Sequence, residues 1–225
     1  MIPLLFILCF NPGERLEYEA KWSFLTLGTM TLEIIDTVDY DGFNCYHISS
    51  LLTSNPRLGF LFTLNDTIEV YTRTDDLLPL YYEEMINEGK YKSRSRLTFN
   101  HDSLVVNYDD TLFLELLENS RDLLSFWYYL RTIALEKGDT IPINIHKSQE
   151  NHEILCYVVE EKVVKTPLGE FNAILVTPQT QGKGIFGSGG GMDIWYSRDE
   201  YRYPVLIKAK IKKGSILFKL KGVRH

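Results

Sequence analysis

The chain is poor in the features that most enzymes and nucleic-acid binders carry. It has three cysteines in 225 residues, none in a C-x-x-C pair; this excludes a disulfide framework, a zinc ribbon and a thioredoxin-type redox centre. The five histidines (His47, His101, His146, His152 and His225) never stand four apart, as two metal ligands on one helical face would. No metal or cofactor is therefore expected. No G-x-S-x-G elbow is present. Basic residues number 24 against 30 acidic ones, so no cationic excess exists to displace counterions from nucleic acid. Ile2 to Phe10 is apolar but shorter than the about 20 residues that span a bilayer, and no basic residue precedes it. Residues 1–10 read as a signal-peptide remnant, the alternatives being a first strand or a tail. No internal repeat or composition shift divides residues 11–225, which read as one β-rich domain.

What is present is alternation. Leu16, Tyr18, Ala20 and Trp22 alternate with Glu17, Glu19 and Lys21, the signature of a strand with one wet face. Met30, Leu32 and Ile34 continue it, and Asp41-Gly42 predicts a hairpin turn into Phe43, Cys45 and His47. Residues 55–59 form a turn-rich break before a strand over 60–72. Further strands are expected from Tyr81, over 91–99 and over 104–108. After Gly138, Ile141, Ile143 and Ile145 mark a strand that Pro142 places at a sheet edge. Strands over 153–164, 171–177 and 192–196 follow. A last hairpin runs from Val205 to Leu220 through Lys213-Gly214.

One stretch departs from this period. Leu123, Phe126, Trp127, Leu130, Ile133 and Ala134 recur at helical spacing, predicting one amphipathic helix over about 120–137. Asn119 or Ser120 would cap its start and Gly138 its end. The fold class read from the residues is mainly β: an antiparallel structure folded around that helix.

Two features point toward binding. The aromatic residues exceed what a minimal core needs, and a curved sheet closed by a helix can hold an apolar ligand. Phe126, Trp127, Leu130 and Trp195 are the expected lining, an ordinary aromatic core being the alternative. Lys208, Lys210, Lys212, Lys219 and Lys221 are expected on one side of the last hairpin. They could meet anionic lipid or an acidic partner, or simply keep a sheet edge soluble. The glycines from Gly182 to Gly191 read as a loop able to cover a cavity rather than a phosphate cradle, because a strand follows them. Asp122 and Arg131 read as anchors of the helix, and Ser125 as bonded to the carbonyl one turn back. Cys45 and Cys156 read as either bridged or free and buried.

Four ordered motifs carry a resemblance. They are Phe10-x-x-Gly13-Glu14-x-Leu16-x-Tyr18, Asp122-x-x-Ser125-x-x-Tyr128-x-Leu130-Arg131, Gly169-x-Phe171, and Trp195-x-Ser197-x-Asp199-x-x-Arg202-x-Pro204-Val205. Together they resemble the bacterial domain-of-unknown-function family numbered 3108, whose members are mostly exported. The resemblance implies a cell-envelope or periplasmic address and a lipoprotein-carrier-like fold, a strongly curved antiparallel sheet or open barrel wrapping the helix, with no catalytic residue. The chain is thus expected to be a non-enzymatic envelope protein that binds a lipophilic molecule or assists lipoprotein or outer-membrane traffic. A structural or protein-binding envelope module is the second reading, and a hydrolase using Asp or His near the glycine loop a distant third.

Overall fold

Alternating apolar and polar residues build almost the whole molecule. The computed structural model describes residues 10–59, 63–180 and 191–225. The apolar run near the start and the glycines from Gly182 to Gly190 lie outside the described residues. The first half is a meander of β1 (Arg15–Trp22), β2 (Leu25–Tyr40), β3 (Phe43–Ser54), β4 (Asn65–Arg73), β5 (Pro79–Glu88), β6 (Tyr91–Asn100), β7 (Val105–Tyr108) and β8 (Leu112–Glu115). A single turn of 3-10 helix, Pro56–Leu58, occupies the break between β3 and β4. The helix α1 (Leu123–Thr132) follows, then β9 (Thr140–Lys147), β10 (Glu150–Thr166), β11 (Gly169–Thr180), β12 (Met192–Ser197), β13 (Pro204–Ile211) and β14 (Gly214–Arg224).

Among the described residues, fourteen strands form one antiparallel sheet in which strands consecutive in sequence pair except β8 and β9, and β1 also pairs with β14. The order is therefore that of a continuous up-and-down meander with one break, between β8 and β9. The chain joining these two edges carries α1. Turn chemistry supports the register: Asp41 and Gly42 both have positive φ, as a two-residue hairpin with right-handed strand twist requires. Pro142 does lie on an edge strand, β9, where its missing N–H breaks no inner ladder.

Inward-facing residues of strands from both halves share a core cluster with Leu124, Phe126, Tyr128 and Leu130 of α1. A second, smaller cluster of Leu97, Phe99, Val106, Tyr108 and Leu116 sits under β6, β7 and β8. The helix differs from expectation at both ends and on its faces. It spans ten residues, and Asp122 caps it by accepting from the N–H groups of Leu124 and Ser125. It ends at Thr132, six residues before Gly138, because Arg202 takes the carbonyls of Arg131 and Ile133 at 3.0 Å each. Nor is it a one-sided amphipathic helix. Leu124, Ser125, Tyr128 and Arg131 are buried, Leu123 and Trp127 are half-buried, and Ala134 is exposed beyond the helix end. A helix apolar around most of its circumference belongs inside a molecule.

Cys45 and Cys156 are free and buried. They lie on β3 and β10, which are not neighbours in the sheet, so no bridge joins them. Burial pushes the Cys45 thiol up to about 11 and the Cys156 thiol to about 12.

Candidate functional site

The motif residues converge on the helix rather than on a reaction centre. Arg131, fully buried, makes a two-pronged pair with Glu14 at 2.6 and 2.8 Å and also donates to the Tyr201 carbonyl. The rings of Phe10, Tyr128 and Tyr203 lie about its guanidinium at 4.9, 5.3 and 5.5 Å. Asp199 accepts from the Ser197 hydroxyl and from the N–H groups of Tyr201 and Arg202. That turn holds Arg202, at φ 48°, against the helix C-terminus, where a cation also complements the helix dipole. The Ser125 hydroxyl donates to Asp122 and not to a carbonyl one turn back, since the buried carboxylate is the stronger acceptor. Two stretches distant in sequence, residues 10–14 and 197–203, thus fasten the helix. The reading of Arg131 as an anchor holds, with Glu14 as its partner. Asp122 anchors by capping and not by pairing with a strand.

The residues expected to line an apolar cavity act as packing. Phe126 and Leu130 are completely enclosed in the core, and Trp127 packs against it half-buried. Trp195 lies under the Lys162 ammonium, 4.7 Å from the ring. It is buried in the same core cluster as its neighbour Tyr196, which reaches the helix by donating to the Trp127 carbonyl. No cavity described below touches any of the four. The lysine face is likewise mixed in charge. Lys210 pairs with Asp193 at 3.1 Å, Lys219 stands opposite Glu19 of β1, and Lys208 opposite Asp193. Lys221 lies at the bulge between β1 and β14, and Lys212 belongs to the turn rather than to the strand.

The arrangement with chemical content lies at the seam between the two edges of the sheet. A cavity of about 90 Å³ opens there, lined by Tyr82, Glu84, Ser95, Leu97, Tyr108, Asp122, Leu123, His146, Lys147 and Ser148. Strand β9 reaches it because Arg121, ahead of the helix, makes a parallel bridge to Ile145. The Asn151 amide donates to the Glu115 carbonyl, which turns its oxygen to His146 Nδ1 at 2.9 Å. Nδ1 therefore carries the proton, and Nε2 accepts from the Tyr108 hydroxyl, also at 2.9 Å. Tyr108 in turn accepts from the Gln149 N–H. This chain of bonds clamps β7 of one edge to β9 and the β9–β10 turn of the other.

Burial governs the charges of this group. It lowers the affinity of His146 for a proton and raises the Tyr108 hydroxyl. It raises Asp122 above the usual carboxylate range, against the bonds of the cap. Lys147 is lowered by the same desolvation, opposed by the charge of Glu84. Both ring nitrogens of His146 are engaged, and Asp122 is held by the cap, so these two groups position the walls. Glu84, which is hydrogen-bonded to Tyr82, and Lys147 bring charge to the lining beside the apolar surfaces of Leu97 and Leu123. Sequence reasoning missed this set, and no signal in the chain could have found it. Its members come from β5, β6, β7, the helix cap and β9, and no spacing relates them.

Larger hollows lie elsewhere. One of about 350 Å³ adjoins the helix C-terminus, where Arg198 and Arg202 already bond the Leu135, Arg131 and Ile133 carbonyls. One of about 750 Å³ is a wide groove lined by Tyr40, Leu80, Phe99 and Phe113 among others. It flanks the smaller core cluster.

The family model described as protein of unknown function, DUF3108, matches residues 17–221. Among solved structures, a β-barrel-like protein of domain of unknown function DUF1849 from Brucella abortus superposes with a TM-score of 0.65 at 10% identity. That match covers 95% of this chain and 98% of the other, and shows a shared fold. A "putative lipoprotein" from Parabacteroides distasonis gives a TM-score of 0.36 at 9% identity, covering 96% of this chain and 98% of that one. A "putative exported protein with YmcC-like fold" from Bacteroides fragilis gives 0.35 at 11%, covering 96% and 99%. No curated protein matches the chain.

Proposed function

The chain belongs to the DUF3108 family of proteins of unknown function, and on that premise we propose that it is a non-enzymatic protein of the cell envelope that binds the polar end of a small amphiphile at the seam. The observation that carries this reading is the juxtaposition of Glu84 and Lys147 with Tyr82, Leu97 and Leu123 at the break between β8 and β9. A cavity of about 90 Å³ has room for roughly three waters at about 30 Å³ each, or for one small polar group. A whole drug-sized ligand, which needs some 300 Å³ or more, would extend outward along the seam. The smaller core cluster under β6–β8 is fastened to the rest at that point by the Tyr108–His146 bond, so a modest opening there widens the entrance. The apolar Ile2–Phe10 run supports the envelope address.

Native mass spectrometry of protein purified without detergent, followed by solvent extraction, tests the reading. An amphiphile at near-stoichiometric level that is absent from a Ser95→Phe variant, which fills the cavity, is the expected result. A bare polypeptide mass for both proteins would refute it.

A further inference from the structure

A second surface, remote from the seam, has the composition of a membrane contact. The β1–β2 turn and the β13–β14 turn stand side by side, because β1 and β14 are paired and Trp22 lies opposite Ile216. They are tied together: the Trp22 indole N–H donates to the Lys213 carbonyl at 3.0 Å. Gly214, at φ +96°, leaves room for that ring, since a Cβ there would stand 3.3 Å from its nitrogen. The tied tips present Phe24, Trp22 and Ile211 outward, at 94%, 40% and 41% exposure. A phenylalanine so exposed on a rigid turn costs solubility and contributes nothing to the core.

The charge around these side chains has one sign. Residues 20–30 and 204–225 contain no Asp or Glu, in a chain whose net charge is −6. Lys21 and Lys210 reach back to Glu19 and Asp193. Lys212 and Lys213, at the tip itself, have no ionic partner among the described residues and are exposed. Aromatic rings at the water–lipid boundary with lysines beside them are the pairing that interfacial anchors use. An acidic protein surface would complement the lysines but not the protruding rings, whereas an anionic bilayer complements both.

We propose that the paired tips Trp22–Leu25 and Ile211–Gly214 dock the protein on an anionic lipid surface, Phe24 and Trp22 entering the headgroup region and Lys212 and Lys213 meeting the lipid charge. This goes beyond seam binding and does not depend on it.

Co-flotation with vesicles of equal parts phosphatidylglycerol and phosphatidylcholine, and with phosphatidylcholine alone, tests the proposal. Binding to the anionic vesicles that weakens with added salt is expected. Phe24→Ser and the Lys212→Glu/Lys213→Glu pair should each lower the bound fraction about tenfold, while Phe24→Trp retains it. All three changes fall at exposed turn positions, and an unchanged near-ultraviolet dichroism spectrum shows that the fold survives them. The Ser95→Phe variant should bind vesicles as the parent does, which separates this surface from the seam. Absence of binding, equal binding to neutral vesicles, or indifference to Phe24→Ser would overturn the proposal. A dimer that Phe24→Ser dissociates, with no vesicle binding, would overturn it in favour of a second copy of the chain.

Discussion

At the scale of single residues, the buried Arg131–Glu14 pair decides most. Two charges removed from water are compensated by each other, with the Tyr201 carbonyl and three ring faces about the guanidinium. Arg131→Met leaves Glu14 unpaired in the core and should destabilise the protein by about 3–5 kcal/mol, measured by urea unfolding, whereas Arg131→Met with Glu14→Leu should recover much of that loss. His146 gives a pH signature. Its folded form resists protonation, so below pH about 6.5 the unfolded chain takes up a proton that the folded chain refuses. Stability from this residue is complete above that pH and falls as the solution is acidified through the window beneath it. His101, also lowered by burial, adds a slope of the same sign, and Asp122, raised by burial, an opposite one at lower pH. His146→Gln should flatten the dependence between pH 6.5 and 5, and an unchanged slope would show that the ring titrates normally. The thiols give a third check: with both raised by burial, Cys45 and Cys156 should stay unlabelled by a thiol reagent until denaturant is added, read by peptide mapping. The anchoring role of Arg131 was readable from its place in a helix packed among strands, but its partner Glu14 was not. The proton on His146 Nδ1 was not, because it depends on Asn151 and on Glu115, 36 residues away.

Among elements, α1 has its start set by its own cap residue, Asp122, and its end by a side chain from elsewhere, Arg202. Asp122→Ala removes the acceptor for two backbone N–H groups and should cost about 1–2 kcal/mol of stability in thermal unfolding. Arg202→Ala removes the donor to two helix carbonyls, and its effect should be of similar size, with increased amide exchange confined to the last helical turn. Equal loss of protection along all of α1 would contradict that division. Strands were the legible part: period-two alternation, Asp41-Gly42 and Pro142 located β1–β3, β9 and the final hairpin. Strand β8 escaped notice because four residues, Leu112 to Glu115, are too few to show a period, and Phe113 and Leu112 are exposed. The helix was visible, but its limits were not. Gly138 has the expected positive φ, yet serves a turn whose N–H bonds the Val158 carbonyl. The stop comes from Arg202, a contact across 69 residues that no local pattern records.

For the whole molecule, the governing fact is a meander that closes on itself through β1 and β14 yet stays open between β8 and β9. Alternation gave an antiparallel structure around one helix and the family resemblance its strong curvature, but the break between β8 and β9 could not be inferred from either. An aromatic-rich sequence suggested a cavity beside the helix. The rings were used instead to pack it, and the ionisable cavity formed where two edges fail to pair. If that seam is the binding site, its two sides should share one response to the ligand. The most direct measurement is amide hydrogen exchange on detergent-free protein before and after solvent extraction. The account predicts that extraction raises exchange in residues 95–116 and 145–149 together, with β1, β2 and β14 unchanged. Unchanged exchange at the seam, or a change centred on α1 and the strands facing Phe126 and Leu130, would contradict it.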